Sequence, residues 1–282
     1  MSTPSWSSLA AVVRAAATRD GARSRARLAL EGVRLCERAL AAAWPLEALL
    51  CSERFAAGGD PRELALAQAL ERAGVALVRA PDAEFALLVE GRSFGDAIAI
   101  AHAPPSPPPL TDLVERAPRR PSRPALLLGA VDVDDPGNAG ALVRTAHALG
   151  ASAFLAIGRT RALHPKSLRT SMGSFLRLPI LEPASLELAL DELAAAGARC
   201  FAASASPDAG EVVSELQRAR TELARPAAVA LIVGSEAHGL DAEQVERIGN
   251  ALRIDMPSGV DSLSVNAAAA ILLHELRRAF EA

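Results

Sequence analysis

The stretch 134-DDPGNAGALVRTAHALGA-151 decides how the second half of this chain folds. It follows the apolar run 125-ALLLGAVDV-133, which has the length and composition of a buried strand. Glycines and an asparagine come first, and an apolar helical segment then begins. This order predicts a strand, a tight turn and a helix, and open α/β sheets bind ligands at such carboxyl ends of strands.

Two familiar phosphate-binding turns do not match this stretch. A dinucleotide turn needs GxGxxG, whereas Gly137 to Gly140 reads GNAG. A P-loop needs GxxxxGK[ST], and the single lysine of the chain, Lys166, lies elsewhere. Taken alone, Asn138 would be a turn or cap residue and Arg144 a solvated helix residue.

The alternation of strand and helix continues through residues 123–282. Short apolar strands without polar alternation are typical of a parallel sheet covered on both faces, which is the fold we expect here. The predicted strands are 125–131, 153–158, 199–205, 228–234 and 251–256, and the predicted helices are about 138–149, 185–197, 241–248 and 263–280.

Residues 1–104 predict a smaller α/β domain preceded by an N-terminal arm, which we expect to be helical and partly mobile. Residues 28–44 have a helical pattern in their centre. Further elements are a strand at 46–52, a helix at 61–74 and strands at 75–80 and 97–103. Two proline-rich stretches bracket a short helical segment, so residues 105–122 are predicted to be a linker.

Composition limits the choice of partner and compartment. The net charge is -3, so a nucleic-acid site would have to be a local patch. The three cysteines are isolated, which indicates a reducing compartment and no cysteine metal site. With no bilayer-spanning apolar run, we expect a cytoplasmic protein without a membrane partner. A basic N-terminal run is either a solvated face or a contact to RNA phosphates: Arg14, Arg19, Arg23, Arg25, Arg27, Arg34 and Arg38.

Two later segments repeat the pattern of a strand ending in a glycine turn. In 230-ALIVGSEAHGL-240 an apolar strand runs into glycines, with Glu236 at the expected sheet edge. In 254-IDMPSGVDSLSVNAAAAILLHEL-276 a strand end and a loop lead into an apolar helix. Such a helix is normally buried, while its N-terminal amides remain free for a polar ligand.

These three segments, in this order, resemble the SpoU/TrmH family of RNA ribose 2'-O-methyltransferases, within the SPOUT superfamily. The family motif N-x-G-x-x-x-R matches Asn138, Gly140 and Arg144, and G-S-E-x-x-G-L matches residues 234–240. The third motif, I-x-M-x-x-G-x-x-S-L-N-V, matches from Ile254 to Val265 except at one position. The intervening 166-KSLRTSMGSFLRLP-179 is also similar to the family, and 31-EGVRLCERALAAAWPLEALL-50 resembles its small L30e-like domain.

The resemblance implies a fold and a set of ligands. It implies a C-terminal parallel-sheet domain with a deep trefoil knot, preceded by a small L30e-like α/β domain that binds the RNA substrate. It further implies a homodimer formed through the knotted domain, structured RNA (rRNA or tRNA) as substrate, and S-adenosyl-L-methionine as methyl donor without a metal. The methyl donor would be held by Gly234, Ser235, Gly239, Leu240, Ile254, Met256 and Leu263.

The resemblance also implies catalytic roles. Arg144 would activate or position the ribose 2'-hydroxyl; because guanidinium stays protonated, we expect it to anchor phosphate and stabilise developing alkoxide. Asn138 and Glu236 would orient it, the substrate or the loops around them, and Ser262 would hydrogen-bond at the start of the last helix. Ser264 is the remaining candidate catalytic residue. His147, His238 and His274 are expected to be ordinary surface or variable residues rather than catalytic or zinc-binding ones.

One position departs from the family pattern. Ser264 stands where the family has asparagine, and a carboxamide occurs two residues later, at Asn266. Two residues on a helix point about 200° apart, which predicts that Asn266 does not replace the missing group. The chain could therefore be an active methyltransferase or a catalytically silent RNA-binding or ribosome-assembly factor. A methyltransferase acting on a small molecule is a third alternative, which the N-terminal domain disfavours.

Overall fold

The computed structural model describes residues 4–18, 27–89, 95–117, 124–206, 211–212, 226–260 and 262–280. The helices are α1 (Trp6–Ala16), α2 (Val33–Ala41), α3 (Glu53–Ala56), α4 (Pro61–Arg72), α5 (Asp82–Val89), α6 (Leu110–Arg116), α7 (Pro136–Ala148), α8 (Pro165–Thr170), α9 (Leu186–Ala195), α10 (Ala242–Ile248) and α11 (Val265–Ala279). The strands are β1 (Arg27–Glu31), β2 (Leu46–Ser52), β3 (Ala76–Ala80), β4 (Ala97–His102), β5 (Ala125–Val131), β6 (Ala153–Ile157), β7 (Ile180–Leu181), β8 (Ala198–Ala203), β9 (Glu211–Val212), β10 (Ala228–Val233) and β11 (Ala251–Arg253).

Contacts divide the chain into two compact units. Unit 1 comprises residues 1–105 and 163–176, and unit 2 comprises residues 106–162 and 177–282. In the sequence-based division, residues 163–176 fall inside the range 123–282, whereas by their contacts they group with unit 1.

Unit 2 is built on a parallel sheet in the order β7-β6-β5-β10-β8-β11-β9. All neighbouring strands pair in parallel, which confirms the predicted sheet. The central strands β5 and β10 are buried along their whole length, as their uninterrupted apolar sequences require. The two-residue strands β7 and β9 were not predicted, because two residues carry no hydrophobic pattern.

Helices cover this sheet and close the core of unit 2. Leu127 of β5 and Ile232 of β10 lie in one apolar cluster with Leu110 and Val114 of α6. The short helix inside the proline-rich stretch therefore contributes apolar side chains to the core of unit 2. Helix α11 packs against both α7 and β10, so the apolar C-terminal helix is buried on one side, as its composition predicts.

Unit 1 contains a mixed sheet in the order β1-β4-β2-β3. Strand β4 pairs antiparallel with β1 and β2, and β2 pairs parallel with β3. The helix expected in the centre of residues 28–44 is confirmed as α2, but residues 28–31 belong to β1. Gly32 separates the two elements with a φ of 98°, a conformation that side chains with a Cβ disfavour.

The predicted N-terminal arm is helical but is not a detached segment. Helix α1 buries Leu9, Ala10 and Val13 in the apolar core of unit 1, so these side chains are fixed by packing. Arg19, Arg23 and Arg25 lie outside the described residues.

Residues 163–176 join unit 1 through side chains that are far apart in sequence. Helix α8 packs against β1, where Arg169 forms an ion pair with the buried Glu31. The ring of Phe175 meets Trp44 edge to face, with ring centroids 5.7 Å apart. Within the described part of the chain, none of the helices has the length and apolar character needed to cross a membrane.

Candidate active site

The first motif begins at the N-terminus of α7, directly beyond the carboxyl end of β5. The Asp135 carboxylate accepts a hydrogen bond from the Asn138 N–H at 2.9 Å, and Pro136 occupies the first helical turn. Ala139 and Gly140 are buried on the side that packs inward. Cap, proline and small residues thus fix the helix start and place Asn138 at the sheet edge.

The loop that leads into α7 is tied to the end of the neighbouring strand β6. Asp132 has a φ of 53°, and its carboxylate accepts the Arg159 N–H at 2.8 Å. The Thr160 hydroxyl donates to the Ala130 carbonyl at 2.8 Å and accepts from the Val133 N–H at 3.0 Å. Sequence reasoning did not find these supporting residues, whose role depends on contacts across the sheet.

Two side chains meet at Asn138 of the first motif, one from the second motif and one from the start of α11, just after the third motif. Its Nδ2 donates to Glu236 Oε1 of the second motif at 2.6 Å. Its Oδ1 accepts from Nδ2 of Asn266, in the first turn of α11, at 3.0 Å. Segments separated by about a hundred residues thus converge on one carboxamide, and both of its polar atoms are engaged.

The second motif forms a tight turn after β10. Gly239 donates its N–H to the Ser235 carbonyl at 2.8 Å, and the two residues form an isolated bridge. A Cβ on Gly234 would lie 2.1 Å from the carbonyl carbon of Gly239 and 2.4 Å from the Leu240 nitrogen. Only glycine fits at position 234, so the sequence itself enforces the closed shape of this turn.

The third motif combines exposed and half-buried groups. Ile254 and Met256 are half-buried after β11, whereas Ser262 is exposed. Leu263 has 39% of its surface exposed. Ser264 is the N-cap of α11, and its hydroxyl accepts from the Ala267 N–H at 3.3 Å.

Arg144 lies on α7 apart from the three hydrogen-bonded side chains. Six residues of helix separate it from Asn138, which is about 9 Å along the axis. Its side chain is exposed, and the described residues provide no hydrogen-bonding or ion-pair partner for its guanidinium. The structure therefore joins Asn138, Glu236 and Asn266 to one another and leaves Arg144 free for an external anion.

Sequence reasoning missed Asn266. The prediction that residues 264 and 266 point about 200° apart holds only if both are helical. Ser264 has φ -58° and ψ 146°, so it lies outside the helix and that helical geometry does not apply. The available signal was a serine followed three residues later by an apolar alanine run, which predicts the cap at 264.

Metal ligands and reactive thiols do not cluster in the described part of the chain. The described residues contain no group of three or more His, Cys, Asp or Glu side chains placed to hold a metal ion. Burial raises the pKa of the Cys36 thiol to about 12 and that of Cys51 and Cys200 to about 11. These thiols stay protonated near neutral pH and are poor nucleophiles.

Comparison with known proteins identifies relatives of this arrangement. Residues 125–274 match the model of the SpoU rRNA Methylase family. The 23S rRNA (guanosine(2553)-2'-O)-methyltransferase RlmP of Bacillus subtilis is 34% identical over 157 residues, which are 55% of this chain and 58% of that protein. The 23S rRNA (guanosine-2'-O-)-methyltransferase RlmB of Xylella fastidiosa is 34% identical over 170 residues, which are 60% and 63% of the two chains. The chain thus spans less than two thirds of either relative.

Solved structures extend the likeness to both units. The structure of an RNA 2'-O ribose methyltransferase is 33% identical, with a TM-score of 0.71, covering 97% of this chain and 95% of that one. The AdoMet-bound rRNA methyltransferase of Sinorhizobium meliloti has a TM-score of 0.74 with the same coverage of 97% and 95%. Its identity is 23%, so it supports the fold alone.

Proposed function

The chain belongs to the SpoU rRNA methylase family, and we propose that it transfers a methyl group from S-adenosyl-L-methionine to a ribose 2'-hydroxyl of structured RNA, either rRNA or tRNA. The observation that carries this proposal is the convergence of Glu236 and Asn266 on Asn138, in the first turn of the same helix that presents the free Arg144. The relatives named as 2'-O-methyltransferases support the same reaction.

The residues of the second and third motifs fit the methyl donor. Its adenosine and methionine parts require apolar surface together with a few polar groups. The closed turn beginning at Gly234 provides backbone groups, and half-buried Met256 and exposed Leu263 provide apolar surface. Seven residues would hold the donor: Gly234, Ser235, Gly239, Leu240, Ile254, Met256 and Leu263. When bound, S-adenosylmethionine supplies a methyl group activated by its positively charged sulfur.

The reaction requires the 2'-oxygen to be positioned and its negative charge to be stabilised as the proton leaves. Arg144 remains protonated and offers a planar set of donors, so it would anchor the adjacent phosphate and stabilise the developing alkoxide. Asn138 and Glu236 would orient the ribose or the loops around it. The exposed Ser262 would hydrogen-bond the bound groups, whereas Ser264 would act through the start of α11.

Unit 1 would select the RNA, as expected for an L30e-like domain. A cavity of about 380 Å³ in unit 1 supports this assignment. Arg34 and Arg38 line it, are exposed, and have no ion-pair partner among the described residues. Guanidinium groups of this kind suit RNA phosphates.

We further propose that unit 2 contains a trefoil knot and that the protein is a cytoplasmic homodimer. The path from β11 through the third motif to α11, which returns to pack against α7 and β10, is compatible with a trefoil knot. The partly exposed apolar side chains Val260, Leu263 and Ile271 are compatible with a homodimer formed through unit 2. Reduced cysteines and an RNA substrate suit a cytoplasmic enzyme.

One observation favours the silent RNA-binding factor. Ser264 replaces the asparagine of the family pattern, and its hydroxyl is used to cap α11. Such a factor would bind RNA, and would retain or lose the methyl donor, without turnover.

The test combines donor binding with methyl transfer. We expect saturable S-adenosylmethionine binding by calorimetry, and transfer of labelled methyl to rRNA or tRNA that protects one phosphodiester from alkaline cleavage, the signature of a 2'-O-methyl group. The Leu263→Pro variant, which disrupts the third-motif backbone, serves as the binding control. Donor binding without label in any RNA would favour the silent factor, and absence of donor binding by folded protein would overturn the proposed reaction.

A further inference from the structure

We propose that Asn266 is a positioning residue of the methyl-transfer site, which it serves by fixing the carboxamide of Asn138 and, through it, the carboxylate of Glu236. This inference rests on the proposed function. It assigns a role to a residue outside the three sequence motifs.

At the start of α11, Ser264 and Asn266 make different contacts. The Ser264 hydroxyl accepts the Ala267 N–H, and the Ser264 carbonyl accepts the Ala268 N–H at 3.0 Å. Ser264 is therefore engaged in starting the helix. The carboxamide two residues later lies in the first helical turn and is free to reach another element.

The Asn266 side chain points towards α7. Helix α11 packs against α7, and the Asn266 side chain crosses to the N-terminal turn of α7, where Asn138 lies. Asn266 is partly buried, so its amide cannot exchange this contact freely for water. An intramolecular hydrogen bond in such a setting holds its partner in one orientation.

The hydrogen bonds that link Asn266, Asn138 and Glu236 each need a donor on one side and an acceptor on the other. An ionised Glu236 only accepts, so the Nδ2 group of Asn138 must face it and the Oδ1 atom must face away. Asn266 presents its Nδ2 donor to that Oδ1 atom. Each amide thereby fixes the assignment of the next, and among the described residues Asn266 supplies the donor to the Oδ1 atom of Asn138.

The Oδ1 atom of Asn266 lies at the end of this series of hydrogen bonds. Asn266 Oδ1 is buried and has no hydrogen-bond partner in the described part of the protein. Buried acceptors are normally paired, and leaving one unpaired costs stability, so the packing of α11 gains nothing from this atom. The arrangement points to a role in the site rather than in the packing of α11.

The experiment measures donor affinity, thermal midpoint, kcat and the KM for RNA in Asn138→Ala, Asn266→Ala and the double variant. We expect Asn266→Ala to lower kcat about tenfold or more, since small displacements of positioned groups are costly, with donor affinity and the KM for RNA within about twofold. The double variant should be no slower than Asn138→Ala alone, because both act through one group. Asn266→Asp, which keeps the shape but replaces the donor by an acceptor, should be as slow as Asn266→Ala.

Asn250 provides the matched structural control. Its side chain is partly buried, as that of Asn266 is, and makes two hydrogen bonds in unit 2, one to the Cys200 carbonyl at 2.9 Å and one from Arg199 at 3.4 Å. Asn250→Ala should lower the thermal midpoint at least as much as Asn266→Ala and leave kcat unchanged.

The outcomes separate the two proposals. Wild-type protein that methylates no RNA overturns the proposed function, and the inference with it. With an active wild type, unchanged kcat in Asn266→Ala, or effects of the two asparagines that simply multiply, would overturn the inference and leave the proposed function standing. The inference would equally be overturned if Asn250→Ala and Asn266→Ala both lost kcat in proportion to the decrease in their thermal midpoints.

Discussion

The Glu31 carboxylate of unit 1 is held by an arginine, whereas the Glu236 carboxylate of unit 2 is held by an amide, and this comparison separates paired arginines from free ones. In unit 1, Arg169 pairs with buried Glu31 and Arg62 pairs with Glu37, while Arg34 and Arg38 remain exposed. In unit 2, the site carboxylate is held by an uncharged amide rather than by an arginine. Arg144 has no hydrogen-bond or ion-pair partner among the described residues, so it is free to meet an anion. Replacing a paired arginine or its partner should therefore change the free energy of unfolding, and replacing a free arginine should change RNA binding or RNA methylation.

The largest effect should come from the free arginine of unit 2. We expect Arg144→Ala to lower kcat by about 10²–10³-fold, the usual reduction when a group that stabilises developing negative charge is removed. Donor affinity and the thermal midpoint should change little, because the side chain is exposed and forms no hydrogen bond or ion pair with the described residues. Single-turnover methyl transfer at saturating RNA measures this.

His147 on the same helix is the matched control, since it lies one turn beyond Arg144 and we assign it no catalytic role. His147→Ala should retain kcat within about twofold. A comparable reduction in both variants would mean that α7 as a whole, rather than the guanidinium, is needed, and the contrast between paired and free arginines would fail in unit 2.

The next largest effect should be on the stability of unit 1. Glu31 is 1% exposed, and Glu31→Ala would leave the Arg169 guanidinium without its buried partner. Removing one member of a buried pair typically costs about 3–5 kcal/mol of unfolding free energy. Denaturant unfolding of the full chain measures this decrease, which the double variant Glu31→Leu with Arg169→Met should largely reverse.

The exposed pair in the same unit sharpens that test. Arg62 and Glu37 have side chains 46% and 34% exposed, and the Arg62 guanidinium lowers the pKa of the Glu37 carboxyl. Exposed pairs contribute about 0–1 kcal/mol, so Arg62→Ala should change the unfolding free energy little. Equal decreases for Glu31→Ala and Arg62→Ala would show that burial does not distinguish these pairs.

The sequence was sufficient for features encoded locally and insufficient for those created by long-range contacts. Strand β5, the start of α7 and the parallel sheet follow from apolar runs, a proline and a capping aspartate. The family resemblance assigned Asn138 and Glu236 to one site, but the direct hydrogen bond between them was not predicted. The hydrogen bond from Asn266 to Asn138 was not predicted, because no local pattern joins residues that are 128 positions apart. The packing of residues 163–176 on β1 was also unpredictable, since no local pattern names a distant ion-pair partner.

The smallest effect should come from the free arginines of unit 1. Arg34→Ala with Arg38→Ala should raise the KM for RNA about tenfold and leave kcat at saturating RNA unchanged, because arginines that bind phosphates contribute to affinity. The dependence of log affinity on log salt should flatten by about 0.7–0.9 for each RNA phosphate that the variant no longer neutralises. Arg72→Ala, an exposed arginine on α4 bonded to the Gln68 carbonyl at 3.2 Å, is the control and should alter neither quantity. A drop in kcat without a change in the salt dependence would mean that Arg34 and Arg38 do not hold RNA phosphates. The comparison of paired with free arginines would then have no support from RNA binding in unit 1.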